Sequence, residues 1–166
     1  MKKLSLLIIT SIFVGTSSLF SLGLGIQGNI NAGEFFAPGV ALSLKLDSVP
    51  FYFAFNWQFE EEVKNFSLTS DYWALNKTML YVNNQPLNLF FGLGAYCNVT
   101  IDQSQNGDYF QPSLGLRIPV GINMYILDRV LEPFIQVAPS FGIHFIPSLG
   151  ADTVYWPLSV GIRMWL

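Results

Sequence analysis

Residues 156–166 read WPLSVGIRMWL, and large apolar side chains occupy every second position from Trp156 to Leu166. The positions between them hold Pro157, Ser159, Gly161, Arg163 and Trp165. A side-chain period of two is typical of a β-strand whose faces meet different surroundings. The stretch therefore predicts a strand with one apolar face and one face that carries a charge.

Seven earlier stretches repeat this alternation. The predicted strands cover 22–30, 40–46, 51–60, 72–82, 87–99, 114–124, 135–145 and 156–166. Longer connections (31–39, 61–71, 102–108 and 147–153) alternate with shorter ones (47–50, 83–86 and 127–132). The alternation falters only in the fourth strand, where a β-bulge near Asn76 and Lys77 would restore it. Pro119, Pro139 and Pro157 lie within predicted strands, and each removes one donor from the sheet. The pattern predicts eight antiparallel strands in an all-β, up-and-down arrangement.

The composition separates this chain from ordinary soluble domains. Of its 166 residues, 51% are hydrophobic and 16% aromatic, but only 11% are charged. A typical soluble domain has about 25% charged residues. The net charge of -3 gives no electrostatic footprint for nucleic acid, and a single cysteine, Cys97, permits no intrachain disulfide.

The N-terminus has the form of a secretory signal peptide. Two lysines follow Met1, and an apolar segment then extends over 4–15 before small polar residues. This order predicts export, with cleavage after Ser21 and a mature chain of 22–166. The alternative is a signal anchor, although the apolar segment is shorter than the ~20 residues that span a bilayer.

The apolar faces of the strands are expected to point outward, towards lipid. An eight-stranded barrel has an interior that side chains just fill. The five aromatic residues at alternate positions of 51–60 would overcrowd it, whereas the opposite faces hold mostly Gly, Ala, Ser, Asn and Gln. A soluble, lipocalin-like barrel is the alternative, but its exterior should be rich in Lys and Glu. The sequence therefore predicts an eight-stranded transmembrane β-barrel of the outer-membrane type, with both mature termini on the periplasmic side.

Aromatic residues near the strand ends predict two interfacial girdles. The loop-side girdle would contain Trp57, Phe59, Tyr72, Trp73, Tyr109, Phe110, Phe145, Tyr155 and Trp156. The turn-side girdle would contain Phe51, Tyr52, Tyr81, Tyr125, Phe134 and Trp165.

Charged residues on the opposite faces predict a charge network within the barrel lumen. Its members would be Lys45, Glu60, Lys77, Arg117, Glu132 and Arg163. A lipid-facing Lys or Arg at mid-membrane costs about 2–4 kcal/mol, so these side chains should point inward. We expect Glu132 to lie near Arg163 and Lys45, since buried charges need partners.

Four stretches carry a family resemblance: FGLGAY at 91–96, LRIPVGIN at 116–123, EPFIQVAP at 132–139 and GIRMWL at 161–166. On these, residues 87–166 resemble a family of small outer-membrane proteins of spirochaetes of unknown function. That family is similar in fold to the eight-stranded transmembrane domain of the OmpA type. The resemblance implies a fold and a location, and no activity.

The one histidine raises the question of hidden catalysis. His144 is expected to face inward, with Ser140 on the same face of the strand and Asp152 in the next loop. These types could form a nucleophile, a base and an orienting group, as in a lipid-modifying enzyme. A hydrogen-bonded lumen histidine is the interpretation that we favour, and no cofactor or metal site is predicted.

Three functions follow from these patterns. The first is a non-enzymatic outer-membrane barrel, monomeric and plugged by lumen side chains. Its partners would be outer-membrane lipid, the barrel-assembly machinery through the C-terminal strand, and a host or environmental ligand at the surface loops. The second is a narrow channel or a conduit for small hydrophobic compounds, and the third is a lipid-modifying enzyme.

Overall fold

The protein is described from a computed structural model, which covers residues 21–32, 38–59, 63–102, 109–146, 148–152 and 154–166. The predicted signal peptide, apart from Ser21, lies outside these residues, as does Glu60. The structure is all-β. Its strands are β1 (Leu22–Ala32), β2 (Pro38–Leu46), β3 (Phe51–Phe59), β4 (Val63–Val82), β5 (Gln85–Asp102), β6 (Tyr109–Arg117), β7 (Val120–Met124), β8 (Leu131–Val137), β9 (Ser140–His144), β10 (Gly150–Ala151) and β11 (Trp156–Trp165).

The strands close into an eight-stranded antiparallel β-barrel. β1 pairs with β2 on one side and with β11 on the other, which completes the circuit. Three of the eight positions are each occupied by two strands, β6 with β7, β8 with β9, and β10 with β11. The predicted fold class is therefore confirmed.

Proline explains why the first two of these positions are divided. Pro119 lies in the gap between β6 and β7, and Pro139 lies in the gap between β8 and β9. The N–H that each proline lacks interrupts the ladder of backbone hydrogen bonds. Pairing nevertheless continues through the gaps, because Gly92 N–H donates to the Pro119 carbonyl and Ile118 N–H donates to the Pro139 carbonyl, both at 2.9 Å. The third proline, Pro157, accepts a hydrogen bond from Ala138 N–H at 3.0 Å. All three prolines thus act as acceptors in the barrel wall.

The register fixes the slope of the strands. The circuit starts at Ala32 of β1 and moves from each residue to its partner on the next strand, first on β11 and last on β2. It returns to β1 at Leu22, ten residues from where it began. In an eight-stranded barrel, a stagger of this size tilts the strands by roughly 40°.

The fourth strand differs from its prediction. β4 begins at Val63, so the predicted loop over 61–71 is wrong. Polar residues of this segment, such as Ser67 and Thr69, face the lumen and alternate with outward Phe66 and Leu68. Because the lumen is polar, these residues fit a strand as well as they fit a loop. The irregularities lie between Tyr72 and Leu75 and between Thr78 and Leu80, not at Asn76–Lys77.

Burial distinguishes the two faces of every strand. Inward side chains are buried, including Gln27, Ser43, Ala54, Thr69, Tyr96, Ser113, Gln136 and Ser159. Outward side chains are exposed, including Ile26, Leu42, Phe55, Leu68, Leu93, Leu116, Phe141 and Val160. The exposed surface is therefore the apolar one, and the interior is polar and aromatic.

Glycine makes room for the large residues of the lumen. A Cβ on Gly115 would collide with the ring of Tyr96, and a Cβ on Gly142 would collide with the hydroxyl of the same residue. The absence of a side chain at both glycines therefore leaves the space that Tyr96 occupies, because an added methyl group would force the tyrosine or the backbone to move.

The β4–β5 hairpin extends beyond the rest of the barrel at the end where the short turns lie (the turn end). Past Tyr72, β4 continues to Val82 and pairs with β5, which itself pairs with β7 over Leu87–Phe91. Asn83 and Asn84 form the turn with φ of 49° and 64°. Two positive φ angles suit a two-residue hairpin loop, and Asn tolerates them well.

Candidate functional site

Glu132 is the centre of a charge cluster at the turn end of the lumen. It lies on β8, and its side chain is fully buried. Lys45 Nζ from β2 and Arg163 Nη1 from β11 contact its Oε1 at 2.8 and 3.0 Å. The indole Nε1 of Trp165 donates to its Oε2 at 2.9 Å, and Asn123 Nδ2 donates to Oε1. One carboxylate thus joins four strands.

Aromatic rings surround the two cations of this cluster. Arg163 Cζ lies 3.8 Å from the centre of the Phe134 ring and 4.6 Å from that of Tyr52. Lys45 Nζ lies 4.1 Å from the centre of a Trp73 ring, which stacks on Phe90. Cation–π contacts strengthen when water is excluded, so the rings both fill the lumen and stabilise its charges.

Tyr125 closes the turn end of this cluster. It lies just after β7, and Lys45 Nζ donates to its hydroxyl at 3.2 Å. Burial raises the pKa of Tyr125 to about 12, and the nearby Glu132 carboxylate adds to the increase. The phenol is neutral at physiological pH, as an ordinary tyrosine is, and its oxygen accepts a hydrogen bond from the Lys45 ammonium.

A second ion pair lies nearer the middle of the barrel. Arg117 Nε is 3.1 Å from Asp71 Oδ1, and both side chains are buried. The sequence reasoning placed Asp71 in a loop and missed it, because the start of β4 was set nine residues too late. The alternation of Phe66 and Leu68 with polar residues was the signal that could have found it.

The loop end of the lumen has a different, part-exposed cluster. His144 Nδ1 lies 2.9 Å from Asp152 Oδ1, and their side chains are 21% and 20% exposed. The hydroxyl of Tyr96 donates to Asp152 Oδ2 at 3.4 Å. Asp152 N–H also donates to the Gly142 carbonyl at 2.8 Å, which holds the loop against β9.

Ser140 is not part of this cluster. Its hydroxyl donates to the Ala138 carbonyl at 2.7 Å. Four residues along a strand separate two Cα atoms by about 13 Å, so Ser140 and His144 are out of hydrogen-bond reach. The structure therefore brings His144 and Asp152 together and keeps Ser140 apart from them.

One of the six predicted lumen charges does not face the lumen, and another cannot be compared with the structure. Lys77 points outward, because it pairs with Leu89 on the outward phase of β5, so its assignment to the lumen is wrong. The assignment failed because the inward and outward positions of β4 exchange between Tyr72 and Leu75, before Lys77, and not at Lys77 as predicted. Glu60 lies outside the described residues. Lys45, Arg117, Glu132 and Arg163 are buried in the lumen.

Several predicted girdle residues point into the barrel instead. Trp73, Tyr52 and Phe134 are buried, and Tyr125, Tyr155 and Trp165 contact lumen groups. These six residues occupy inward positions of their strands. The girdle prediction relied on how near a residue is to a strand end, and that distance does not tell which face the residue is on. Tyr72 is outward but lies opposite Phe51 at the turn end, not the loop end.

The outward aromatic residues that remain lie near both ends of the barrel. Trp57 and Trp156 are exposed at the loop end, and Phe51 packs edge-on against Tyr72 at the turn end, with ring centres 5.5 Å apart. Tyr81 is not one of them, because it pairs with Pro86 on the inward phase of β5, and it is 71% exposed only because it lies beyond the barrel on the β4–β5 hairpin. The side chains of Phe59 and Tyr109 lie outside the described part of the structure.

None of the described residues form a helix that could span a bilayer. In the same part of the chain, no group of three or more His, Cys, Asp or Glu side chains could hold a metal ion. Two clefts of about 310 and 500 Å³ open at the turn end, and both include Asp47, Tyr125 and Arg129 in their walls.

No protein-family model and no curated protein matches the chain. Seven chains of solved structures resemble it, and three of them are compared below. Neisserial surface protein A (NspA) is 14% identical with a TM-score of 0.49, over 87% of this chain and 96% of that one. The N-terminal β-barrel domain of Pseudomonas aeruginosa OprF is 10% identical with a TM-score of 0.52, over 88% and 97%. A major outer membrane protein from Thermus thermophilus is 11% identical with a TM-score of 0.44, over 89% and 100%.

At these identities the likeness concerns the fold alone, and only the OprF comparison is strong enough to support it. The resemblance to a spirochaete family stays a prediction. The chain therefore has the β-barrel fold that it shares with the N-terminal domain of OprF.

Proposed function

We propose that this chain is a non-enzymatic, integral outer-membrane protein whose barrel spans the bilayer and presents short loops at the cell surface. The proposal rests on one observation: the apolar faces of the strands point outward and the polar faces point into the barrel, which is the reverse of a soluble protein. Exposed Leu, Ile, Val and Phe cover the outside of the long strands, whereas charged and amide side chains are buried in the lumen. In water this surface would be a large aggregation-prone patch, but in lipid it is the expected exterior.

The filled lumen supports a structural or surface-binding role over transport. Glu132, Lys45 and Arg163 form a buried ionic cluster across the turn end, and Tyr52, Trp73 and Phe90 pack beside it. An open water-filled pore would leave such side chains exposed. The barrel would thus serve as an anchor, either for the integrity of the envelope or for contact with host or environmental molecules.

Location and partners follow from this proposal. The N-terminal signal peptide would direct export, and the barrel-assembly machinery would recognise the C-terminal strand β11. Leu22 and Leu166 lie next to each other at the turn end, where they exchange two backbone hydrogen bonds, so both mature termini would lie at that end. That end would be periplasmic, and the mature protein would be a monomer in lipid.

Refolding tests the proposal directly. The mature chain, 22–166, should refold from urea into detergent micelles or lipid vesicles with β-rich circular dichroism. The folded form should migrate differently on a gel before and after boiling, because a closed barrel resists detergent. A chain that folds as a soluble β-protein without detergent or lipid would contradict the proposal.

A narrow channel is the second candidate, and the clefts at the turn end favour it. The larger cleft contacts Tyr125, which itself hydrogen-bonds Lys45 of the charge cluster. Planar-bilayer recordings of the refolded protein separate the two functions. We expect no stable conductance steps, whereas reproducible steps that change in the Glu132→Gln variant would establish the channel.

A further inference from the structure

Beyond the barrel rim, β4 has a strand partner on one side only. β3 pairs with β4 as far as Tyr72, and Trp73 N–H then donates to the Pro50 carbonyl at 2.8 Å. From Leu75 to Val82, β5 is the only strand among the described residues that pairs with β4. The opposite side of residues 74–82, here called the free edge, therefore presents backbone N–H and C=O groups that no described strand satisfies.

The side chains along the free edge divide into two kinds. Leu75, Leu80 and Val82 are 44–46% exposed and continue the outward apolar face of the barrel. Asn76 and Thr78 face the other way and line the 500 Å³ cleft. An incoming strand would thus meet an apolar surface on one face and a polar cavity on the other.

Lys77 adds a charge to the outward face. It lies between Leu75 and Leu80, opposite Leu89, and makes no ion pair with any residue in the described part of the chain. A cation in this position would be matched by a carboxylate on a strand laid beside it, because opposite charges on neighbouring strands attract.

Natural edge strands are protected from pairing by shortness, by proline, by charged side chains such as lysine, and by β-bulges. The free edge has two of these protections, Lys77 and the irregularity between Thr78 and Leu80. It nevertheless extends over nine residues and contains no proline, so most of its backbone stays open to a strand that carries a matching charge. Strand addition is a common way for one protein to bind an extended segment of another, since backbone hydrogen bonds give affinity and alternate side chains give specificity.

A second copy of this chain does not fit the free edge. β4 is tilted by roughly 40° from the barrel axis. Antiparallel pairing of two such edges would set the two barrels in opposite orientations in the membrane. Parallel pairing would tilt the barrels by about 80° relative to each other. Two copies in one bilayer can adopt neither arrangement.

We propose that the free edge binds an extended segment of a periplasmic protein by strand addition. The segment would place a carboxylate beside Lys77, further apolar side chains beside Leu75 and Leu80, and small polar side chains in the cleft. This inference rests on the proposed function, which makes the turn end periplasmic.

The test uses the refolded protein in detergent micelles and two capped nine-residue peptides. The acidic peptide reads Thr-Val-Thr-Val-Thr-Glu-Thr-Val-Thr, and the basic peptide replaces its glutamate with lysine. At millimolar concentration, the acidic peptide should slow amide hydrogen exchange within 74–82 and leave the remaining strands unchanged. It should bind about two- to five-fold more tightly than the basic peptide, which is the size of effect expected from one exposed charge pair.

Two variants sharpen this experiment. Lys77→Gln should abolish the preference for the acidic peptide. Lys64→Gln, an outward lysine at the opposite end of the same strand, should keep it. Binding without amide protection, equal binding of the two peptides, or no binding to a correctly folded barrel would overturn the inference. Exchange that is already slow without peptide would overturn it too, because lipid or detergent would then cover the edge. Failure to fold in detergent would instead contradict the proposed function.

Discussion

The two ends of the lumen are built in opposite ways. At the turn end, one fully buried carboxylate binds two cations and an indole, and aromatic rings enclose them. At the loop end, His144 and Asp152 form one contact and remain about one-fifth exposed. Removing one partner of a buried charge pair leaves the other charge desolvated, whereas a part-exposed group regains water. The difference indicates that the turn end stabilises the barrel and that the loop end is free to serve the surface.

The largest expected effect is at the centre of the turn-end cluster. Glu132→Leu would leave Lys45 and Arg163 buried without their carboxylate, so we expect a loss of about 3–5 kcal/mol in the free energy of unfolding. Urea titration and the temperature of the gel shift on heating would measure it.

Gln136→Leu is the matched control, on the same strand and the same face. The Gln136 amide has no hydrogen-bond partner in the described structure, so its loss should cost less than about 1 kcal/mol. Equal stability of Glu132→Leu and the wild type would refute the network.

The second ion pair should matter somewhat less. Asp71→Leu removes one partner from Arg117 and should cost about 2–3 kcal/mol. Adding Arg117→Met should recover most of this loss, because an apolar pair of similar volume replaces a buried ion pair at little cost. Urea titration of the single and double variants completes the cycle. A double variant that is less stable than Asp71→Leu would show that Arg117 has a more important partner elsewhere.

The inward position of Trp73 can be compared with the outward position of Trp57. Trp73→Leu removes the stack on Phe90 and the contact with Lys45, and should cost about 2 kcal/mol. Trp57→Leu exchanges one lipid-facing apolar side chain for another and should change the free energy of unfolding by less than about 0.5 kcal/mol. Tryptophan quenching by brominated lipid checks the same contrast, since only Trp57 of the two should be quenched strongly.

The smallest effect is expected at the loop end. His144→Ala should cost less than about 1 kcal/mol, because the contact with Asp152 is partly solvated. Lipid A composition of cells that express the variant should equal that of cells with the wild type, since Ser140 is out of reach of His144. A change in lipid A that depends on His144 would revive the enzymatic alternative.

Much of the fold could be predicted from the alternation of side chains. The period of two, the scarcity of charge and the small residues opposite the large ones predicted a barrel with its apolar face outward. The same phase placed Lys45, Arg117, Glu132 and Arg163 on the inner face of their strands. These predictions depend only on which side of a strand a residue occupies, and that is a local property of the chain.

The failures share a different cause. Polar residues over 61–71 predicted a loop, because sequence alone cannot distinguish polar side chains that face water from those that face a polar lumen. Trp73 and Lys77 were assigned to the wrong faces, since the phase of β4 changes at Tyr72–Leu75, where no proline or glycine marks it. Asp71 was missed for the same reason.

The sequence by itself determined that this chain forms alternating strands, and which residues could share a face. Only the tertiary structure decided which of them meet, because closure of the barrel sets the stagger between strands. That stagger brings Lys45 of β2, Glu132 of β8 and Arg163 of β11 to one point in the lumen. The same closure sets the start of β3 opposite Tyr72, so that β4 continues beyond it with β5 as its one strand partner among the described residues. The free edge is therefore a product of the register and not of any local motif.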